Sequence, residues 1–331
     1  MNGLSSRRTA ALLEVLGVTA AGPLLMWAIR QLLQLTLTNP LTTLRADISD
    51  HELLVASAQM LELLLFQYAG YFLLAFPLNA WYRHKGLADY GLTRAGLPWC
   101  AIGVAALATA ALASLPAVGV SVINSLHPGA TAGWRQALMD MPPRWQSWLF
   151  TAVMSWALVP VLEELFHRGY CLRRLAEDWG QGPAIVAGAC LFTFAHSQYF
   201  LLNLYNIALL LSLLFFALCV GIAFVLTRSL LPGIATHVVL NLPLPSPWEA
   251  VLLAVLLLAA AGAWRHGLRA VKQVLRTAQL PASALLIVVS ITYELCMARD
   301  ALWPSAAAAA LLAVALGLQI IERARVSRVP A

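Results

Sequence analysis

Runs of roughly 18–25 apolar residues recur from one end of this chain to the other, and each is long enough to cross a hydrocarbon core about 30 Å thick as a helix. No other feature restricts the fold so sharply. The chain has 331 residues, of which 61% are hydrophobic and 11% charged, whereas a soluble domain carries about 25% charged residues. A membrane β-barrel would alternate apolar and polar residues over about 10-residue stretches. The runs Ala250–Trp264 and Ala306–Leu318 do not alternate. The expected fold is therefore all-α, a polytopic transmembrane helical bundle of about ten spans, with eight to ten compatible with the pattern.

The candidate spans are Ala10–Leu35, Leu53–Trp81, Pro98–Ile123, Trp148–His167, Pro183–Asn203, Tyr205–Thr227, Leu230–Leu242, Trp248–Trp264, Pro281–Met297 and Leu302–Ile320. The seventh is short and bounded by prolines, which suits a tilted, buried or re-entrant segment. The start, MNGLSSRR and an apolar run, superficially resembles a signal peptide. The run outlasts a short h-region, contains Glu14 and lacks a clear cleavage site, so an uncleaved first helix is expected. The five cysteines form no CxxC pair and sit in or beside apolar runs, where they serve as small apolar side chains.

Charge follows topology. With the N-terminus in the cytoplasm, the cytoplasmic segments hold Arg7, Arg8, Arg83, Lys85, Arg94, Arg173, Arg174, Arg228, Arg265, Arg269, Lys272, Arg276, Arg323, Arg325 and Arg328. The opposite side holds Arg45, Arg135, Arg144 and Arg299, while Arg30 and Arg168 lie in or at the end of spans. The positive-inside rule thus predicts both termini in the cytoplasm. The formal charge of +6 finds its explanation in topology and anionic lipid heads, so no nucleic-acid partner is expected. The loop Asn124–Gln146, with Trp134 and Trp145, reads as an outer interfacial segment. Arg265–Thr277 has cations at 3–4 spacing and reads as an amphipathic helix on the membrane surface.

Ionisable residues inside spans are costly and usually have a partner or a function. Glu14, Arg30, Glu62 and Glu294 are isolated in the sequence and are read as packed, paired or protonated structural groups. Three other places cluster. In the first, Glu163 and Glu164 emerge from an apolar helix four residues before His167 and Arg168. Residues four apart share a helix face, so Glu164 can meet Arg168 while Glu163 can meet His167 and remain available as a base. An ordinary helix end would show the same charges. In the second, His196 follows Phe192 inside an apolar run, and in the third, His237 and Asn241 share one helical face. Hydrogen bonding between helices would explain either of these alone. Together the three supply water activation, proton delivery and oxyanion stabilisation, a complete set for attacking an amide.

The patterns Glu163-Glu164-xxx-Arg168, Phe192-xxx-His196 and His237-xxx-Asn241, in that order on successive spans, resemble the CPBP family of CAAX proteases and bacteriocin-processing (Abi) proteins. Leu87-Ala-Asp-Tyr-Gly-Leu92 and Arg168-Gly169-Tyr170 add to the resemblance, which covers roughly residues 85–245. It divides the chain into N-terminal helices over 1–84, a catalytic helical core over 85–245 and additional C-terminal helices over 246–331. It implies an intramembrane glutamic endopeptidase acting on a membrane-associated or lipid-modified peptide or protein. Glu163 with His196 would activate the hydrolytic water and return a proton to the leaving amine. His237 and Asn241 would bind the oxyanion, Glu164 and Arg168 would orient the site, and Phe192 would pack beside it. The family often has an aromatic such as phenylalanine where this chain has His167.

No cofactor is expected. Two alternatives stay open. Glu163, His196 and His237 could form a His₂Glu zinc site with an open water position, although HExxH is absent. A transporter, proton relay or scaffold could use the same buried groups. Substrate identity and oligomeric state are not written in the sequence.

Overall fold

Long apolar segments in lipid must satisfy every backbone group internally, and helices do so within one segment. The protein, seen in a computed structural model, is described at residues 3–33, 45, 47–82, 86–126, 141, 143–200, 203–242, 246–277 and 279–299. Helices dominate these residues, with no strand among them. The N-terminal pair is α1 (Gly3–Leu33) and α2 (Asp50–Pro77), packed side by side. A capping box starts α2: Ser49 Oγ accepts from the Glu52 amide and the Glu52 carboxylate accepts from the Ser49 amide at 2.9 Å, which satisfies two otherwise orphaned donors.

After a 3₁₀ turn at Leu87–Tyr90 come α3 (Trp99–Ala113) and α4 (Leu115–Leu126). Next are α5 (Trp145–Thr151), a π-helical turn Ala152–Trp156, α6 (Leu158–Glu164), a second π segment of this stretch, Leu165–Leu172, and α7 (Arg173–Trp179). The remainder is α8 (Gln181–Phe194), α9 (Leu204–Thr227), α10 (Leu231–Leu240), α11 (Ser246–Thr277) and α12 (Leu280–Arg299).

Among the described residues five helices are long and apolar enough to cross a membrane, namely Ser6–Leu33, Asp50–Ala80, Trp99–Asn124, Leu204–Thr227 and Ala250–Thr277; three shorter apolar helices accompany them. Side chains such as Leu107, Leu211, Leu258 and Val288 are more than half exposed on the outside of the bundle, where lipid rather than water is their natural solvent. The tenth expected span, Leu302–Ile320, and most of the outer loop (127–140) lie outside the described residues, as do Arg83, Lys85 and the three C-terminal arginines.

Several expected boundaries shift for physical reasons. The expected fourth span is interrupted at Ala152–Trp156 and again from Leu165. Pro160 has no N–H to give to the preceding turn, and the chain kinks at Ala157 (φ −116°, ψ −63°). The fifth span ends early, at Phe194, and is followed by a 3₁₀ turn Ser197–Tyr199. The basic stretch from Arg265 is no separate surface helix but the continuation of α11, whose 32 residues reach about 48 Å, beyond a hydrocarbon core of about 30 Å.

The core lies where α1, the second π segment, α7, α8, α9 and α12 meet. It contains Val15, Phe166, Tyr170, Leu175, Ile185, Phe224 and Leu286. The 87–92 stretch is built into it. Tyr90 is buried, its hydroxyl accepting from Asn79 at 2.8 Å and donating to the Ala75 carbonyl at 3.2 Å. Gly91 adopts φ +85°, open to glycine, and its carbonyl accepts from the Leu230 amide at 2.8 Å. This contact anchors the turn that starts α10.

Candidate active site

The site is assembled from α6 and the π segment that continues it, the end of α8, and α10. Glu163 and Glu164 are the last residues of α6, and every residue from Leu165 to Leu172 is buried. A π-helical turn in a helix interior is unusual and is frequent at functional sites.

Chain neighbours with identical side chains have different surroundings. Glu164 is fully enclosed (0% exposed). Its Oε1 accepts from Arg168 Nη1 at 3.1 Å and faces His237 Nδ1 at 3.2 Å. Arg168, itself 2% exposed, lies 4.4 Å above the Phe192 ring centroid and 5.8 Å from that of Phe216, a stacking that rings offer to a desolvated guanidinium. Close approach at the other oxygen depends on Gly233: a Cβ there would stand 3.2 Å from Glu164 Oε2 and 2.7 Å from Val220 Cγ1. Glu163 is the more open carboxylate, with 13% of its side chain exposed. Its Oε1 accepts from the Tyr68 hydroxyl at 3.2 Å, and its Oε2 is 3.7 Å from His237 Nε2.

His237 thus stands between the two carboxylates. An ionised carboxylate only accepts, so Nδ1 is the donor toward Glu164. Pro232 in the first turn of α10 presets the helix start, and Thr236 Oγ1 donates to the Ala106 carbonyl at 3.0 Å, holding α10 against α3.

His196 lies just past the end of α8, at φ −85° and ψ 59°, rather than inside a span. Its Nδ1 donates to the Phe192 carbonyl at 2.8 Å. That bond places a hydrogen on Nδ1, so that the neutral ring would carry its lone pair on Nε2. The ring is half-buried and parallel to Tyr199, with centroids 6.3 Å apart. Phe192 is the common neighbour of the site: its ring centroid is 5.0 Å from His196, 5.2 Å from His167 and 6.1 Å from His237.

His237 and Asn241 stay one helical turn apart, the Asn241 backbone amide donating to the His237 carbonyl at 3.0 Å, but their side chains take different partners. Helix α10 stops at Leu240, and Asn241 follows at φ −94° and ψ 0°. Its Nδ2 donates to the Ser155 carbonyl at 2.9 Å, bridging α10 to the interrupted stretch before Pro160. The expected pairing of Glu163 with His167 is also replaced: Glu163 bonds Tyr68, while the His167 ring turns edge-on to Phe166 and Phe192.

The structure therefore gathers Glu163, Glu164, Arg168 and His237 through direct polar contacts and His196 through Phe192, while Asn241 joins them through its backbone bond to His237 and turns its side chain to Ser155. Sequence reasoning passed over Tyr68, Ser155, Phe216 and Gly233. For Tyr68 the available signal was a phenol deep in an apolar helix, which usually finds a hydrogen-bond partner when buried. Among the described residues no group of three or more His, Cys, Asp or Glu side chains is arranged to hold a metal ion.

Against protein-family models, residues 145–243 match the Rce1-like family, described as type II CAAX prenyl endopeptidase Rce1-like. The matched segment contains all six of Glu163, Glu164, Arg168, His196, His237 and Asn241, in agreement with the resemblance read from the motifs. No curated protein and no solved structure matches the chain.

Proposed function

We propose that this Rce1-like membrane protein is an intramembrane endopeptidase that hydrolyses a peptide bond without a metal, using water activated by Glu163 and His196. The observation that carries the proposal is the unequal pair of glutamates inside the matched segment. Glu164 is locked by Arg168 and His237, while Glu163 is partly open beside them. The locked acid suits a positioning role and the open one a base.

In this mechanism Glu163 takes a proton from water as the oxygen attacks the scissile carbonyl carbon. His196 Nε2, with its lone pair directed by the Nδ1 bond to Phe192, holds the second hydrogen of that water. The negative charge that develops on the carbonyl oxygen is met by the amide hydrogen of Asn241 not engaged with Ser155, and by His237 in the form that carries a hydrogen on Nε2 as well as on the Nδ1 that faces Glu164, donors preorganised away from bulk water. Collapse breaks the C–N bond. The proton held by Glu163 passes to the leaving nitrogen, giving one amine and one new carboxyl group.

The substrate class this reading favours is a lipid-modified C-terminal peptide, the class named in the family's description, reached from the membrane and cut near the cytoplasmic leaflet. The distribution of arginines supports cytoplasmic termini; a protease-cleavable tag at either end should be protected in right-side-out vesicles, and its digestion there would contradict that arm.

The direct test uses purified protein in liposomes with a fluorogenic peptide ending in a prenylated CAAX sequence. Glu163→Ala and His196→Ala should each reduce kcat by at least about a hundredfold, as for loss of a general base, with the fold retained. Full cleavage by either folded variant refutes the assignment. Loss of wild-type activity to a chelator, with recovery on adding zinc, refutes the metal-free mechanism.

A further inference from the structure

His167 is the one imidazole at the site for which the proposed reaction has no use. It is 9% exposed, and its Nδ1 is buried with no hydrogen-bond partner among the described residues. The ring is held by two aromatic contacts, edge-on to Phe166 at 5.2 Å and edge-on to Phe192 at 5.2 Å, 86° between planes. Phe192 carries His196 and His237 on the same ring, and Arg168, the next residue in the chain, stacks on it as well. His167 is therefore the third histidine around one phenylalanine at the centre of the site.

A side chain needed only to fill the space between Phe166 and Phe192 would be cheapest without polar atoms. Whatever its tautomer, a neutral imidazole brings one donor and one acceptor, and native structures rarely leave such buried groups unpaired. An extended peptide entering the site brings what is missing: each residue offers an N–H and a C=O that must themselves be paired once withdrawn from solvent.

Resting on the proteolytic reading above, we propose that His167 is a substrate-contacting residue, its Nδ1 hydrogen-bonding the main chain of the bound peptide beside the Phe192 ring. It acts in binding and alignment and transfers no proton. It contributes where the substrate's backbone lies, and so helps set which residues flank the bond that is cut.

The test compares His167→Phe, which keeps the aromatic contacts and removes both nitrogens, with His167→Asn, whose amide offers a donor and an acceptor in place of Nδ1. The probe is a fluorescent S-farnesylated CAAX peptide. Cleavage is followed on the wild-type background, and binding is measured separately by anisotropy on a Glu163→Gln background. His167→Phe should raise KM and Kd about tenfold, the scale of one lost hydrogen bond, with kcat within about twofold. His167→Asn should restore most of the affinity. His167→Phe should also melt no lower than wild type, which a purely structural histidine would not allow.

Unchanged KM and Kd in His167→Phe overturn the inference. So does a loss of kcat beyond about a hundredfold at constant Kd, which would make His167 a proton-transfer group. If the wild type binds the probe without cutting it, the proteolytic reading fails while the Kd comparison still decides His167. A wild type that does not bind the probe contradicts both.

Discussion

Glu163 and Glu164 differ by one position in the chain and by about 100° around the helix, and this rotation decides their surroundings. Glu164 points into the bundle and meets Arg168 and His237, whereas Glu163 points toward α2 and meets the Tyr68 hydroxyl at 3.2 Å. Tyr68 fixes the rotamer of the proposed base and occupies one of its oxygens, directing Oε2 toward His237. Tyr68→Phe should therefore lower kcat by roughly tenfold, about 1.4 kcal/mol of transition-state stabilisation, with little change in melting temperature. Steady-state kinetics beside a thermal melt checks this, and unaltered kcat would remove Tyr68 from the site. The adjacent acids were legible in the sequence because carboxylates stand out in an apolar helix. Tyr68 was not, because it lies 95 residues away and a phenol in an apolar run marks no particular partner. The partner of Asn241 was equally hidden, since spacing sets it one turn from His237 but does not say that its amide meets the Ser155 carbonyl.

Between elements, a buried ion pair outside the site joins α1 to α7. Glu14 is 1% exposed and accepts from Arg174 Nε at 2.8 Å and from the Tyr170 hydroxyl at 3.2 Å. Arg174 also donates to Asp178 at 2.6 Å, and Arg8 at the start of α1 donates to the Asp178 carbonyl at 3.1 Å. Tyr170 is two residues beyond Arg168, on the same π segment, so α1 braces the element that carries the site although it lies outside the family match at residues 145–243. Removing Glu14 takes one carboxylate from the buried Arg174 while Asp178 stays paired with it at 2.6 Å, so the cost is that of lost charge-assisted hydrogen bonds, about 1–3 kcal/mol. Glu14→Ala should show a clearly lowered melting temperature in detergent, and a melt matching wild type would contradict the bracing role. In the sequence Glu14 reads correctly as a paired structural residue, yet its partner could not be named. Nor could the π segments on either side of α6 be seen, because a pattern of apolar residues at 3.6 spacing carries no trace of one widened turn.

Over the whole molecule, composition and the length of the apolar runs were enough to give an all-helical membrane bundle, because the energetic demand of lipid leaves few alternatives. They were not enough to give span ends. Uniformly apolar sequence does not distinguish a helix that crosses from one that stops and turns, as α8 does before His196, or one that continues as a basic helix, as α11 does past Arg265. The short α10, only ten residues, was legible through its prolines. Glu163 and Glu164 close α6, His196 lies just past α8 and Asn241 just past α10, so most of the proposed site residues stand at or next to helix ends.

The central claim is that Glu163 activates water against a peptide bond. Mass spectrometry of a prenylated CAAX peptide, incubated in H₂¹⁸O with the purified protein in liposomes, tests it most directly. The account predicts two products, a released peptide and a new C-terminal carboxylate carrying one ¹⁸O, from the wild type and neither from folded Glu163→Gln. Cleavage with ¹⁸O incorporation by Glu163→Gln at the wild-type rate, or no cleavage of any peptide by the wild type, would contradict it.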